Sequence, residues 1–335
     1  MPPGAPEQAR WLRPEPRREL AAPILQRIVD RALAHAKVAG IEPLSGGLRN
    51  ANFKVHLDAG REPVVLRVYE HDSSLCQKEA DLLRLLAGSV RAPEVLYAEP
   101  RGCDGLPPFA LLGYVEGITY RDLKRTGDRD AIEQAAHSAG ETLAAIGRIR
   151  FPKAGWLASG PAVALPLLEG ADAVPRFVDL CLASENLRGR MPADLRDRTR
   201  AAIWPAAAPL AEVHGETHLV HGDFGSRNLL VRRIAGRWRV AAVLDWEFAI
   251  SSSPLVDLAH FLRYERSTRP LAEPHFSTGF AGAGGVLPHD WRRLSRLLDL
   301  TSLCESLTHD ALPDDAAAEL VELVRATVED RDPRA

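Results

Sequence analysis

An α+β fold is what this 335-residue sequence predicts, with strands crowded into the first third and helices filling most of the remainder. Two observations carry it. Up to residue 114, short apolar or alternating runs are separated by Gly, Pro and charged residues, the pattern of strands and turns. From Asp122 onward apolar residues recur at helical spacing, interrupted by one hairpin-like stretch at 229–244.

Taken in order, residues 1–21 are rich in Pro and Arg, lack the apolar centre of a signal peptide and read as a flexible extension. Residues 22–37 form the first expected helix, with Ile24, Leu25, Ile28, Val29 and Leu33 near helical spacing. Within 44–55, Gly46 and Gly47 permit a tight turn, and Phe53 and Val55 alternate with Lys54 as in a strand. Residues 63–69 make the next strand, with Val65, Arg67 and Tyr69 on one face. The helix expected at 75–86 turns Leu75, Leu82 and Leu86 inward, and Glu79 faces inward beside Arg67. Loops surround a short strand at 95–98, and a strand at 109–114 leads into Val115, Glu116 and Gly117.

Past Asp122, the residues Ile132, Ala135, Ala136, Ala139, Leu143 and Ile146 form a helical stripe. The stretch 151–168 holds many Pro and Gly residues and reads as irregular. Further helices are expected at 174–187, 192–203, 253–262, 289–309 and 313–329. From residue 285 to the end there are 11 acidic and 6 basic residues. That excess is either a solvated face or an attraction for a cationic substrate.

Composition narrows the function. A chain of this length buries a sizeable core as one large domain or two modest ones. A net charge of −3 gives no reason to expect a nucleic-acid or anionic-membrane partner. Cys76, Cys103, Cys181 and Cys304 are far apart, without CxxC spacing, and read as reduced thiols of a cytoplasmic protein. No apolar run reaches the ~20 residues that a membrane helix needs.

The chemistry concentrates in 221–245, HGDFGSRNLLVRRIAGRWRVAAVLD. Asp223 follows the apolar pair Leu219 and Val220, and Asn228 comes five positions later. A strand starts at Leu229, turns at Ala235 and Gly236, and returns from Trp238 to Leu244. The hairpin brings Asp245 back beside the loop it left. Two carboxylates and an amide in one small volume suit phosphoryl transfer. One carboxylate orients and deprotonates a hydroxyl, and hard oxygens hold Mg²⁺. His214, His218 and His221 cluster in sequence, but nothing supplies a zinc-like ligand set.

HGDFGSRN, followed after the hairpin by LDWEFA and SPLVDLAHF, resembles the aminoglycoside phosphotransferase family of small-molecule kinases. These are relatives of the protein kinases, whose catalytic loop reads H-x-D-x-x-x-x-N. The resemblance implies a two-lobed protein-kinase-like fold, with a β-rich nucleotide-binding lobe at 22–114 and a helical lobe at 115–335. It implies Asp223 as catalytic base, Asn228 and Asp245 as metal ligands, His221 as a scaffold residue and Asp257 as a brace of the loop. The family's nucleotide loop, S-G-G-x-x-N-x-x-F, fits Ser45 to Phe53 and so adds Ser45, Gly46, Gly47 and Asn50. Glu79 matches the glutamate that pairs with the strand cation. That cation is commonly Lys; here it is Arg67, with Lys54 as competitor. Tyr114, Val115 and Glu116 stand at the hinge between lobes, where adenine would bind.

The implied cofactors are ATP (or GTP) and Mg²⁺, and the implied partner is a small molecule bearing a hydroxyl. An aminoglycoside, choline, a sugar, homoserine, a macrolide or a peptide antibiotic all remain open, because specificity lives in the helices at 174–187 and 192–203, where the resembled kinases insert substrate-binding helices before the catalytic loop. A nucleotide-binding pseudokinase that regulates a partner is the alternative from another class. Only Arg67 favours it.

Overall fold

Residues 20–44, 50–58, 60–265 and 267–329 are described by the structure, a computed structural model. The expected extension at 1–21 lies almost wholly outside the described residues, as do Ser45, Gly46 and Gly47. Helix α1 (Ala22–Ala32) buries Leu25, Ile28 and Val29. It ends five residues short of the predicted Lys37, because Leu33 turns extended and His35 takes a φ of 63°.

Strands β1 (Val38–Pro43), β2 (Ala51–Leu57) and β3 (Val64–Val68) precede helix α2 (Ser74–Leu86). Strands β4 (Val95–Glu99) and β5 (Phe109–Gly113) complete one antiparallel sheet in the order β1-β2-β3-β5-β4. Strand β2 alternates strictly. Ala51, Phe53, Val55 and Leu57 are buried in the core beneath α1, so Asn52, Lys54 and His56 take the other face. Arg67 pairs with Asn52 on one side and Ala110 on the other, which places it mid-sheet.

The short strand β6 (Ile118–Thr119) leads into helices α3 (Tyr120–Thr126) and α4 (Arg129–Gly147), capped by Thr119 and Asp128. The predicted stripe on α4 is buried. Residues 151–168 depart from the expectation of irregular chain: β7 (Gly155–Ala158) and β8 (Ala162–Pro166) form a hairpin. The strand β7 is held by β12, which lies far along the chain, so no local pattern announces it.

Where one helix was expected at 174–187 there are two, α5 (Ala173–Ala183) and α6 (Glu185–Arg190). Ser184 breaks them with an extended ψ of 139°. Helices α7 (Ala193–Ile203) and α8 (Ala207–His214) precede β9 (His218–Val220). The hairpin β10 (Leu229–Ile234) and β11 (Arg237–Val243) turns at Ala235 and Gly236, as predicted, and pairs with β6. Strand β12 (Ile250–Ser252) joins β9 and β7. Helices α9 (Leu255–Leu262), α10 (His275–Gly282), α11 (Trp291–Ser306) and α12 (Asp314–Val328) close the chain. Strands thus lead and helices follow, around two buried clusters. Among the described residues no helix is long and apolar enough to cross a membrane.

Candidate active site

The loop after β9 is held from beneath by one carboxylate. Asp257, fully buried in the first turn of α9, accepts hydrogen bonds from the amides of His221 (2.7 Å) and Gly222 (2.9 Å). Burial pushes its carboxyl up to about 7, against the pull of those amides. Gly222 has a φ of 80°, and a Cβ there would stand 2.3 Å from the carbonyl oxygen of Phe248, so only glycine fits.

His221 fixes the next turn. Its Nε2 lies 2.8 Å from the Leu244 carbonyl, and its Nδ1 accepts from the Asp223 amide at 3.1 Å. The proton therefore sits on Nε2. Burial depresses the imidazole to about 4, so the ring stays neutral and keeps that tautomer. Its edge packs on Trp246, centroids 4.6 Å apart.

Asp223 and Asn228 form one unit. The amide of Asn228 donates to both the backbone oxygen and Oδ2 of Asp223, each at 2.9 Å. That orientation leaves the Asn228 side-chain oxygen unused by Asp223. Burial raises the Asp223 carboxyl to about 6; Arg263 pulls it down, and Asp245 pushes it up. The Leu244 amide donates to the Asn228 carbonyl (2.8 Å), bringing the end of β11 onto the loop. Asp245 follows at a φ of 67°, a left-handed conformation that aspartate tolerates better than most residues.

Arg67 reaches this floor from the sheet. Its Nε lies 2.8 Å from Glu79 Oε2, its Nη2 contacts Asp245 Oδ1, and Glu247 is 4.0 Å away. Burial opposes its charge, yet Glu79 and Asp245 hold the guanidinium well above arginine's ordinary range. Glu79 also accepts from the Trp246 amide at 3.0 Å. Lys54 is not part of this set. Its Nζ lies 3.5 Å from Glu42 and 4.4 Å above the Tyr114 ring.

Glu247 was not anticipated. It is buried, accepts from the Asn50 amide (3.0 Å), and its backbone oxygen accepts from Lys78 Nζ (2.7 Å). The available signal was a second acid, two residues after Asp245, inside the apolar run VLDWEFAI.

Asn50, Arg67, Glu79, Asp223, Asn228, Asp245 and Glu247 line one cleft of about 1960 Å³ between the five-stranded sheet and the helices, whereas His221, Asp257, Lys54 and Lys78 are not among its lining residues. Asn50, Arg67, Tyr114 and Val115 border it on the sheet side, and Asp223, Asn228 and Asp245 form its floor. Glu116 is exposed to solvent and is not among its lining residues. His214, His218 and His221 each turn to a different backbone carbonyl, of Leu168, Gly147 and Leu244. Among the described residues no three His, Cys, Asp or Glu side chains are grouped to hold a metal by themselves.

No curated protein matches the sequence. Solved structures do match in fold. A thermostable mutant of aminoglycoside phosphotransferase APH(4)-Ia, in ternary complex with AMP-PNP and hygromycin B, has 20% identity and a TM-score of 0.65, with 92% of this chain and 99% of that one covered. Aminoglycoside phosphotransferase APH(4)-Ia itself gives 21% identity and 0.66, covering 93% and 100%. The GDP and kanamycin complex of APH(2'')-IIIa gives 18% and 0.63, covering 92% and 99%. These likenesses establish the two-lobed, kinase-like fold. The model of the phosphotransferase enzyme family, APH, matches residues 40–297, so the chain belongs to that family and is a phosphotransferase with an alcohol group as acceptor.

Proposed function

We propose that this enzyme transfers the terminal phosphate of ATP or GTP to a hydroxyl of a small molecule. Residues 22–114 would serve as the nucleotide-binding lobe and 115–335 as the lobe carrying the catalytic loop. The observation that carries the reading is the convergence of Asp223, Asn228 and Asp245 on one cleft floor, with Arg67 facing them. Similar folds hold AMP-PNP or GDP together with an aminoglycoside, which supports a nucleotide and a small acceptor sharing one cleft.

The acceptor oxygen attacks the γ-phosphorus, the bond from that phosphorus to the β–γ bridging oxygen breaks, and the nucleoside diphosphate leaves. Asp223 orients the hydroxyl and takes its proton. Arg67, held by Glu79, grips the phosphates, and Tyr114 and Val115 lie where adenine would rest. Asn228 and Asp245 fit Mg²⁺. That ion prefers oxygen and is satisfied by one or two carboxylates when phosphates and water complete the shell. Bound there, it would neutralise charge on the transferring phosphate. The intact floor argues against a pseudokinase. The four cysteines are all free thiols, which suits a cytoplasmic enzyme.

The test is coupled ADP or GDP release over a panel of hydroxyl compounds, with and without Asp223→Asn. Turnover should fall by ~10²-fold or more, with nucleotide affinity nearly unchanged. Equal turnover in the variant removes Asp223 from the mechanism.

A further inference from the structure

The acceptor side of the cleft has a chemistry of its own. Trp156, Leu168 and Phe177 make one wall apolar. The other wall is rich in cations, and most of them are already engaged. Arg263 grips Asp299 with both Nε (2.9 Å) and Nη2 (2.5 Å). Lys124 is held by Thr268 (2.8 Å) and Glu265 (3.5 Å), and Arg125 lies 3.5 Å from Asp122.

Arg227 differs. It lines the cleft, four residues after Asp223, yet its Nε and Nη2 are buried and make no hydrogen bond. Among the described residues no carboxylate lies within ion-pair distance of it. The carboxylates of Asp223 and, less strongly, Glu319 of α12 favour its charge from beyond that distance, and the buried Oε1 of Glu319 is likewise unbonded. Burial, and then the neighbouring Arg121, make the charge on Arg227 harder to keep. Two buried donors left unused are costly, and an oxyanion at the remaining edge of the guanidinium, Nη1, which is not among those buried atoms, supplies the counter-charge that the group lacks. A polycation entering here meets two like charges instead.

Resting on the phosphotransfer reading, we propose that the acceptor is a hydroxylated anion, a carboxylate or a phosphate ester, whose charge sits on Arg227 while its hydroxyl meets Asp223. The acceptor class thereby departs from the polyamines hygromycin B and kanamycin seen in the similar folds. The acid-rich C-terminal segment does not reverse this. Asp290, Asp310, Asp314 and Asp315 are exposed and lie outside the cleft lining, although Glu305 does reach it.

The test uses full-length protein saturated with Mg·AMP-PNP and calorimetric titration of four probes: gluconate, glucose 6-phosphate, glucose and kanamycin. One of the anions should bind at least ~10-fold more tightly than glucose, the scale of one good charged contact. Arg227→Gln should erase most of that preference, and Arg227→Lys should restore part of it. Comparing gluconate with glucose 6-phosphate tells a carboxylate site from a phosphate site. Anions that bind no better than glucose, kanamycin as the tightest ligand, or an unchanged preference in Arg227→Gln each overturn the proposal. The wild-type comparison stands even if a variant fails to fold. Mg·AMP-PNP affinity, and its loss in Asp245→Ala, are read separately. A failure there strikes the phosphotransfer reading and not the choice of acceptor.

Discussion

A carboxylate accepts a proton only while ionised, so if Asp223 is the base, as proposed, its raised carboxyl sets an acid limit on the reaction. Its carboxyl stands at about 6, lifted mainly by burial. Below that pH it is protonated in the folded enzyme, and above it the base is free. The rate constant kcat/KM should therefore climb about tenfold per pH unit below pH 6 and level off above it. A profile flat down to pH 4 means that Asp223 takes no proton. Asp257 is a different case, since its two hydrogen bonds go to backbone amides and not to the reaction. Asp257→Ala leaves the buried His221 N–H and the half-buried Gly222 N–H unpaired, a loss of about 1–3 kcal/mol for a buried group. Chemical denaturation should show a loss of that order, together with lower turnover. Unchanged stability would show that the loop holds its shape without this brace.

At the level of elements, what the sequence made legible were the pieces with their own periodicity. Helices α2 and α4 and the hairpin β10–β11 announce themselves through repeated apolar spacing or a turn between strands. Strands β6, β9 and β12 have two or three residues each and exist through partners far away in the chain, so they carry no readable pattern. The same split divides the site. Asp223, Asn228, Asp245 and Asp257 lie within 35 residues and follow a fixed spacing. The bonds from Asn50 and Lys78 to Glu247 span 197 and 169 residues, and local reasoning misses them. Helix α10, with the sequence HFSTGFAG, was missed because its glycines and hydroxyls disfavour helix. It is retained by packing: a Cβ on Gly279 would stand 2.1 Å from the His137 carbonyl oxygen, and one on Gly140 2.1 Å from that of Phe276. Gly279→Ala should thus destabilise the fold by about 1–3 kcal/mol, as overpacking does, although alanine is the better helix former. A stabilised Gly279→Ala protein would mean that α4 and α10 sit farther apart.

Across the whole molecule, Arg67 joins the sheet to the floor of the cleft, since Glu79 comes from α2 and Asp245 from the end of β11. Removing its guanidinium leaves Glu79 buried beside Asp245 with no counter-charge, a situation that typically costs about 3–5 kcal/mol. Arg67→Ala should therefore lower stability, raise the nucleotide KM and reduce turnover together. Arg67→Lys should keep part of each, since lysine retains the charge but cannot bridge two carboxylates as a planar fork does. Once Arg67 is gone, Glu79→Gln should restore stability, because it deletes the stranded charge. The double variant would then be more stable than Arg67→Ala alone, a coupling that independent sites do not show. Lys54 supplies the control. It is tied to Glu42 and Tyr114 at the far side of the same sheet face, so Lys54→Ala should alter turnover little. A crippled Lys54→Ala beside a kinetically silent Arg67→Ala would move the phosphate grip from β3 to β2. In that case the contact between Arg67 and Asp245 would join the two halves of the molecule without serving the reaction.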